Sequence, residues 1–281
     1  MVNSGAVPTL PAAPRAIEKG VALKELLNAA TVAQLAANIS LVYPSFAVHS
    51  FCQQATRGLA ELALMARGRH IATALRQHLP LPFVEALEIL IASMTPALES
   101  TAVMGLAGFF YLPHSFFIAE YGLSVGDDAT FHAAMRGHYE LTQRFTAEFA
   151  IRPFLIEQPQ LTLQQLRQWL ADPNPHVRRL CSEGTRPRLP WGRRIPAFIQ
   201  DPQPLLPFLE ALRDDSSLYV RRSVANHLGD IAKDHPELAF SLAKAWLKSA
   251  SSDRKWVIRH ALRYPAKCGN VTALALRSAA K

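Results

Sequence analysis

The chain has 281 residues, 49% hydrophobic and 19% charged, a composition that builds a packed core and excludes a disordered chain. Its formal charge of +8 asks for an anionic partner and sits in one half: residues 1–160 hold 10 Lys+Arg against 12 Asp+Glu (net −2), residues 161–281 hold 20 against 10 (net +10). Three scattered cysteines with no C-x-x-C pair exclude a disulfide framework and fit a reducing cytoplasm; ten histidines without metal-ligand spacing lead to the expectation of no metal and no cofactor.

Residues 1–20 lack the basic-then-apolar layout of a signal peptide and read as a flexible lead-in to a single domain over 21–281. From there almost every periodic segment reads as helix. Apolar spacing predicts helices at roughly 22–28, 31–42, 47–56, 58–66, 69–78, 82–93, 114–121, 128–141, 144–156, 162–171, 175–183, 193–199, 203–213, 217–232, 236–248, 253–262 and 270–278. Thr31 and Asp127 or Asp128 are read as N-caps, and Pro82 and Pro236 as first-turn prolines. The apolar run TAVMGLAGFFYLPHSFFIA (101–119) is long enough to span a membrane. Pro113, His114 and Ser115 interrupt it and Gly105 and Gly108 weaken it, so a buried loop and helix are expected and no membrane contact.

The second half repeats. LADPNPHVRRL (170–180), LRDDSSLYVRRS (212–223) and ASSDRKWVIRHA (250–261) each place an Asp-bearing turn before a valine that opens a basic helix. Val177, Val220 and Val257 are 43 and 37 residues apart, a period that belongs to HEAT-type helical repeats. Each unit has an apolar stripe it cannot bury alone, so the fold class expected is all-α: a HEAT-like right-handed α-solenoid with a concave basic groove. Arg179, Arg222 and Arg259 lie two residues after the repeat valines, which predicts a ladder of cations tracking phosphates.

Three acids stand out against this basic background. Glu183 sits among Arg179, Arg186, Arg188, Arg193 and Arg194; Asp230 ends the apolar run SVANHLGDIAK; Glu148 lies four residues before Arg152. Each has a plain alternative as an ion-pair partner, Asp230 with Lys233 and Glu148 with Arg152. Trp191 falls in RPRLPWGRR, where prolines and a glycine enforce a loop, so it is either a packing plug or a stacking platform for a base or sugar.

Over about Leu23 to Ala275 the sequence resembles the AlkC branch of the HEAT-like DNA alkylation-repair glycosylases, related to AlkD. The blocks that carry the likeness are YGL (121–123) leading to LTQRFTAEFAIRPFL (141–155), then HVRRLCSEGTRPRLPW (176–191) and VRRSVANHLGDIAKDHPELA (220–239). The resemblance implies an enzyme that excises N3-methylated adenine and cytosine from double-stranded DNA without rotating the damaged nucleotide into a deep pocket. It puts the acidic and aromatic site positions on Glu148, Glu183, Trp191 and Asp230. FFYLPHSFF is poorer in tryptophan than the family pattern, and the immunoglobulin-like C-terminal domain of some members is expected to be missing. Arg152, Arg179, Arg186, Arg188, Arg193, Arg194, Arg222 and Arg259 are the candidate DNA-binding cations of a monomeric cytoplasmic enzyme. The competing expectation is a non-catalytic HEAT scaffold for protein or nucleic acid.

Overall fold

The computed structural model describes residues 7–98, 101, 105–124 and 126–281. Among these the secondary structure is all helical, with no strand, as the periodicity requires. Two compact units form, Met1–Ala150 and Ile151–Lys281.

The first unit contains α1 (Ala29–Val42), α2 (Val48–Thr56), α3 (Leu64–His78), α4 (Phe83–Ala92), α5 (Leu112–Tyr121) and α6 (Asp128–Thr142). α3 packs on α5, α1 on α2 and α4 on α6. The cap of α1 is Asn28, whose side chain accepts the Thr31 N–H, so Thr31 lies inside the helix and not at its start; Asp127 caps α6 as expected. The lead-in is irregular but tied down from Thr9 onward: Asn38 Oδ1 accepts from Thr9 N–H at 3.1 Å, and Leu106 N–H donates to the Pro14 carbonyl. The apolar run near residue 110 is a 3-10 turn (Leu106–Tyr111) followed by α5, with Tyr111, Leu112, Phe117 and Ile118 buried. Leu23–Val42 is long and apolar enough to cross a membrane, yet it is broken at the Asn28 cap, and Leu27, Val32, Leu35, Ala36 and Ile39 bury in the unit's core.

Two histidines, His114 and His138, are also fully inside, and burial pushes each imidazole down to about 3. They are neutral in the folded protein and titrate at their ordinary 6.5 once it unfolds. The unfolded chain therefore binds more protons between pH 6.5 and 3, and the stability these sites contribute at pH 7 is lost as pH falls through that window. By pH 5 the loss is about 2 kcal/mol for each. Thermal unfolding at pH 7 and pH 5 checks this: the first unit should melt lower at pH 5, and His114→Gln should shrink the difference. Equal melting at both pH values would exclude a neutral buried pair.

The second unit contains α7 (Arg152–Glu157), α8 (Pro159–Gln168), α9 (Pro175–Glu183), α10 (Pro196–Gln200), α11 (Leu206–Leu212), α12 (Leu218–Asp234), α13 (Pro236–Leu247), α14 (Ser252–Ala261), α15 (Arg263–Lys267) and α16 (Val271–Ala279). The repeat is real. α12 lies between α9 and α14, while α11 packs on α9 and α12, and α13 on α12, α14 and α16, giving two layers of stacked helices. Val177, Val220 and Val257 are fully buried at equivalent places in the core. α12 and α14 approach so closely at Gly229 that a Cβ there would meet the Ala261 carbonyl at 3.0 Å.

The repeats are stitched by the arginine directly after the valine. Arg178 Nη1 donates to the carbonyls of Asp172 and Pro173, and its Nε and Nη2 grip the Asp215 carboxylate of the next turn. Arg221 repeats the pattern with the carbonyls of Asp215 and Ser216 and with Asp253, 3.0 Å away. The arginine two after the valine behaves differently in each repeat, which corrects the uniform ladder. Arg179 lies over the Tyr219 ring at 4.8 Å and 3.6 Å from Glu183, Arg222 is exposed, and Arg259 donates to the Ala280 carbonyl.

Candidate active site

α9, the loop 184–195 and α12 build the site. Asn174 caps α9 by accepting the His176 N–H at 2.9 Å, and Pro175 occupies the first turn, where no N–H is needed. The helix ends at Glu183. Gly184 follows because a Cβ there would lie 2.9 Å from both Ile151 Cγ2 and the Leu180 carbonyl.

Glu183 and Asp230, far apart in sequence, meet at one guanidinium. Arg186 donates from Nη1 to Glu183 Oε1 at 2.6 Å and from Nε to Asp230 Oδ2 at 2.8 Å. The outer oxygens are held separately: Ser223 Oγ donates to Glu183 Oε2 at 2.6 Å, and Lys233 Nζ to Asp230 Oδ1 at 2.9 Å. All three central groups are buried, Glu183 at 6%, Arg186 at 7% and Asp230 at 2% exposure. The pairing with Lys233 exists, but Asp230 is no surface aspartate.

Charging two buried carboxylates needs compensation, and the geometry supplies it. Burial alone would push the Glu183 carboxyl up; Arg179, Arg186 and the Ser223 hydroxyl outweigh it and hold it below the usual carboxylate range. Arg186 is raised in turn, because Glu183 and Asp230 outweigh its own burial. His227, fully buried on α12, is pushed down to about 4, first by burial and then by the charge of Arg186, so it adds no further cation at neutral pH. The cluster holds two fixed negative charges against Arg179, Arg186 and Lys233, a balance that does not repel a polyanion.

The loop beside it is closed and has an exposed tip. Ile195 N–H donates to the Pro187 carbonyl at 3.3 Å, and Leu189 and Ile195 turn inward and are buried. Trp191 points the other way, 85% exposed, with φ of 63° in the left-handed region that non-glycine residues rarely adopt. Its packing-plug alternative is excluded by that exposure. Arg152 does not reach the surface: it is fully buried and donates to the carbonyls of Gly184, Arg186 and Arg193, with Pro187 at 3.5 Å. A phosphate role is closed to it, and it holds the loop's shape instead.

The remaining predicted cations sort the same way. Arg186 is consumed by the carboxylates and Arg188 grips Asp234 through two bonds of 2.7 Å. Arg193, Arg194 and Arg222 are exposed and form no ion pair with a described residue. Glu148 is buried in the first unit, in the turns after α6; the helix expected over 144–156 is not formed, since α7 begins at Arg152 with Pro153 in its first turn. Among the described residues no group of three or more His, Cys, Asp and Glu side chains is arranged to hold a metal ion. Sequence reading missed Ser223, although it lies seven residues, two turns, before Asp230 on one face of α12.

The fold has a solved counterpart. The Pseudomonas fluorescens alkylpurine DNA glycosylase AlkC, bound to DNA containing an abasic site analogue, matches with a TM-score of 0.81 and 41% identity over 91% of this chain and 67% of that one. The Uncharacterized protein YhaZ of Bacillus subtilis (strain 168) is 40% identical over 255 residues, 90% of this chain and 67% of the relative. A family model described as DNA alkylation repair enzyme matches residues 145–264. The chain belongs to the AlkC-type DNA alkylation repair enzymes. The matched span 145–264 runs through α9, the Trp191 loop and α12 and so contains Glu183 and Asp230.

Proposed function

We propose that this AlkC-type protein hydrolyses the N-glycosidic bond of cationic alkylated bases, N3-methyladenine and N3-methylcytosine, in double-stranded DNA, and acts as a cytoplasmic monomer. The observation that carries the reading is the pair Glu183–Asp230, buried and joined by Arg186, a residue of the same loop that exposes Trp191. A base methylated on a ring nitrogen already carries a positive charge. Its C1′–N bond breaks with the electrons going to the base, which departs neutral and needs no general acid. Positive charge then grows on the sugar, and fixed carboxylates at the site stabilise it. Water attacks C1′ and one carboxylate accepts its proton, leaving an abasic site and the free base. Glu183 and Asp230 fill these two roles.

Trp191 offers its face to the cationic lesion or its deoxyribose, an attraction worth about 2 kcal/mol when desolvated. An undamaged base lacks the charge, so selection follows reactivity without full extrusion of the nucleotide. Arg193, Arg194 and Arg222 face the DNA backbone.

Release of N3-methyladenine and N3-methylcytosine from methylated duplex DNA by the purified protein tests the proposal. Folded protein that binds DNA and releases neither base would leave a HEAT-type scaffold. The strained tip gives a second check. Trp191→Gly removes an exposed side chain and relieves a left-handed conformation that costs about 1 kcal/mol. The variant should melt at or slightly above the wild-type temperature while releasing base about tenfold more slowly. A clear loss of stability would show that Trp191 packs and does not present itself to a ligand.

A further inference from the structure

One turn before Asp230, α12 carries Asn226, the centre of a second polar patch. Its Oδ1 accepts from Arg263 Nη2 at 3.0 Å and lies 3.3 Å from His260 Nε2. Arg263 Nη1 donates to the His260 carbonyl at 2.6 Å, and the His260 ring stacks on Trp256, 4.8 Å between centroids and 13° apart. The long Arg263 side chain is thus fixed by neutral acceptors at the start of α15.

Several other fixed arginines of the second unit spend their charge on carboxylates: Arg178 on Asp215, Arg186 on Glu183 and Asp230, Arg188 on Asp234, Arg254 on Asp214. Arg263 is exposed and has no carboxylate partner among the described residues, and the same holds for Arg222, one turn before Asn226. Burial, then the charge of Arg186, hold the Arg263 guanidinium below its ordinary value. Burial, then Arg263 and Arg222, push His260 down to about 4, so the imidazole is neutral at pH 7. A guanidinium fixed by neutral acceptors, acted on by the charges of Arg186 and Asp230 but bonded to no carboxylate among the described residues, is an anion position with its counter-charge still to come.

We propose that Arg263, anchored by Asn226 and flanked by Arg222, is the seat of one particular DNA phosphodiester and sets the register of the strand against Glu183 and Asp230. The inference rests on the glycosylase reading, which supplies the DNA. Asn226 stands one helical turn, about 5.4 Å, from Asp230, so the phosphate held belongs to the attacked nucleotide or to its immediate neighbour. This differs from diffuse attraction by mobile surface cations: one phosphate matters and the others do not.

The test couples protein and DNA changes. Binding is measured to duplexes with an abasic analogue in which single flanking phosphates are replaced, one at a time, by neutral methylphosphonate. Wild type should lose about tenfold in affinity at one position, and Arg263→Gln should bind the all-phosphate duplex about tenfold more weakly with a salt slope reduced by about one. Arg263→Gln should then be indifferent to methylphosphonate at that position and respond like wild type at the others. Asn226→Ala should lose the same coupling while keeping the wild-type salt slope, because the charge remains but its anchor is gone. Penalties that simply add at every position, or unchanged binding by Arg263→Gln, would overturn the proposal. Base release by wild type, measured alongside, separates the two ideas: absent release sinks the glycosylase reading, whereas intact release without coupling sinks only the phosphate seat.

Discussion

Glu183→Gln and Asp230→Asn are each expected to slow release of N3-methyladenine by about 10²–10³-fold, with affinity for duplex DNA containing an abasic analogue held within about threefold. The substitutions keep size and hydrogen-bonding capacity but delete the charge that opposes the growing sugar cation. Glu183 is the more exposed of the pair to rearrangement, since its amide would present an NH2 to Arg186 or to Ser223, both of which donate to it in the native site. Asp230→Asn loses the partner shared by Arg186 and Lys233. Because one guanidinium joins the two acids, the double variant should be little slower than the worse single one. Single-turnover rates settle the point. Wild-type rates in both single variants would remove these carboxylates from the chemistry and leave them as structural ions.

The pattern of what sequence could and could not show follows from range. α9 is placed at 175–183 by Asn174, Pro175 and its apolar spacing, all local signals, and the repeat valines reveal the layered architecture because each repeat restates them. The acids near 183 and 230 are visible as charges out of keeping with their neighbours. The structure shows their ion-pair alternative, with Arg186 joining the two acids, and the role proposed for them as reactive groups is compatible with that pairing. Arginines were where the reading failed. Eight are candidates for phosphate from repeat phase or from their place around the acids, and neither says whether a guanidinium faces water or a ring of carbonyls. Arg152, a candidate DNA-binding cation in the sequence, lies fully buried under the 184–193 carbonyls, a contact made across more than thirty residues. Arg263, outside every motif, gained its interest only when α15 was brought against Asn226.

Arg186 is also where stability and chemistry meet, and Arg186→Met should cost about 3–5 kcal/mol, because it leaves two buried carboxylates without their common counter-ion. The pH dependence of that cost has a definite sign. In wild type the Glu183 carboxyl is held low, so its contribution is present above the ordinary carboxylate value and lost as pH falls through its depressed one. Without Arg186, burial is opposed only by Arg179 and the Ser223 hydroxyl, and the carboxyl rises. The variant is then penalised most at neutral pH and is relieved as acid protonates the group. Urea unfolding of both proteins at pH 7.5 and 5.5 should show the deficit shrinking at the lower pH; the buried histidines are common to both chains and largely cancel. Arg186→Lys keeps a charge but cannot span the two acids, since one ammonium lacks the forked geometry that meets Oε1 and Oδ2 together. It should recover much of the stability and little of the base release. A deficit that widens on acidification would mean that the carboxylates are not ionised in the native site, and the charge-stabilising mechanism would fall with it.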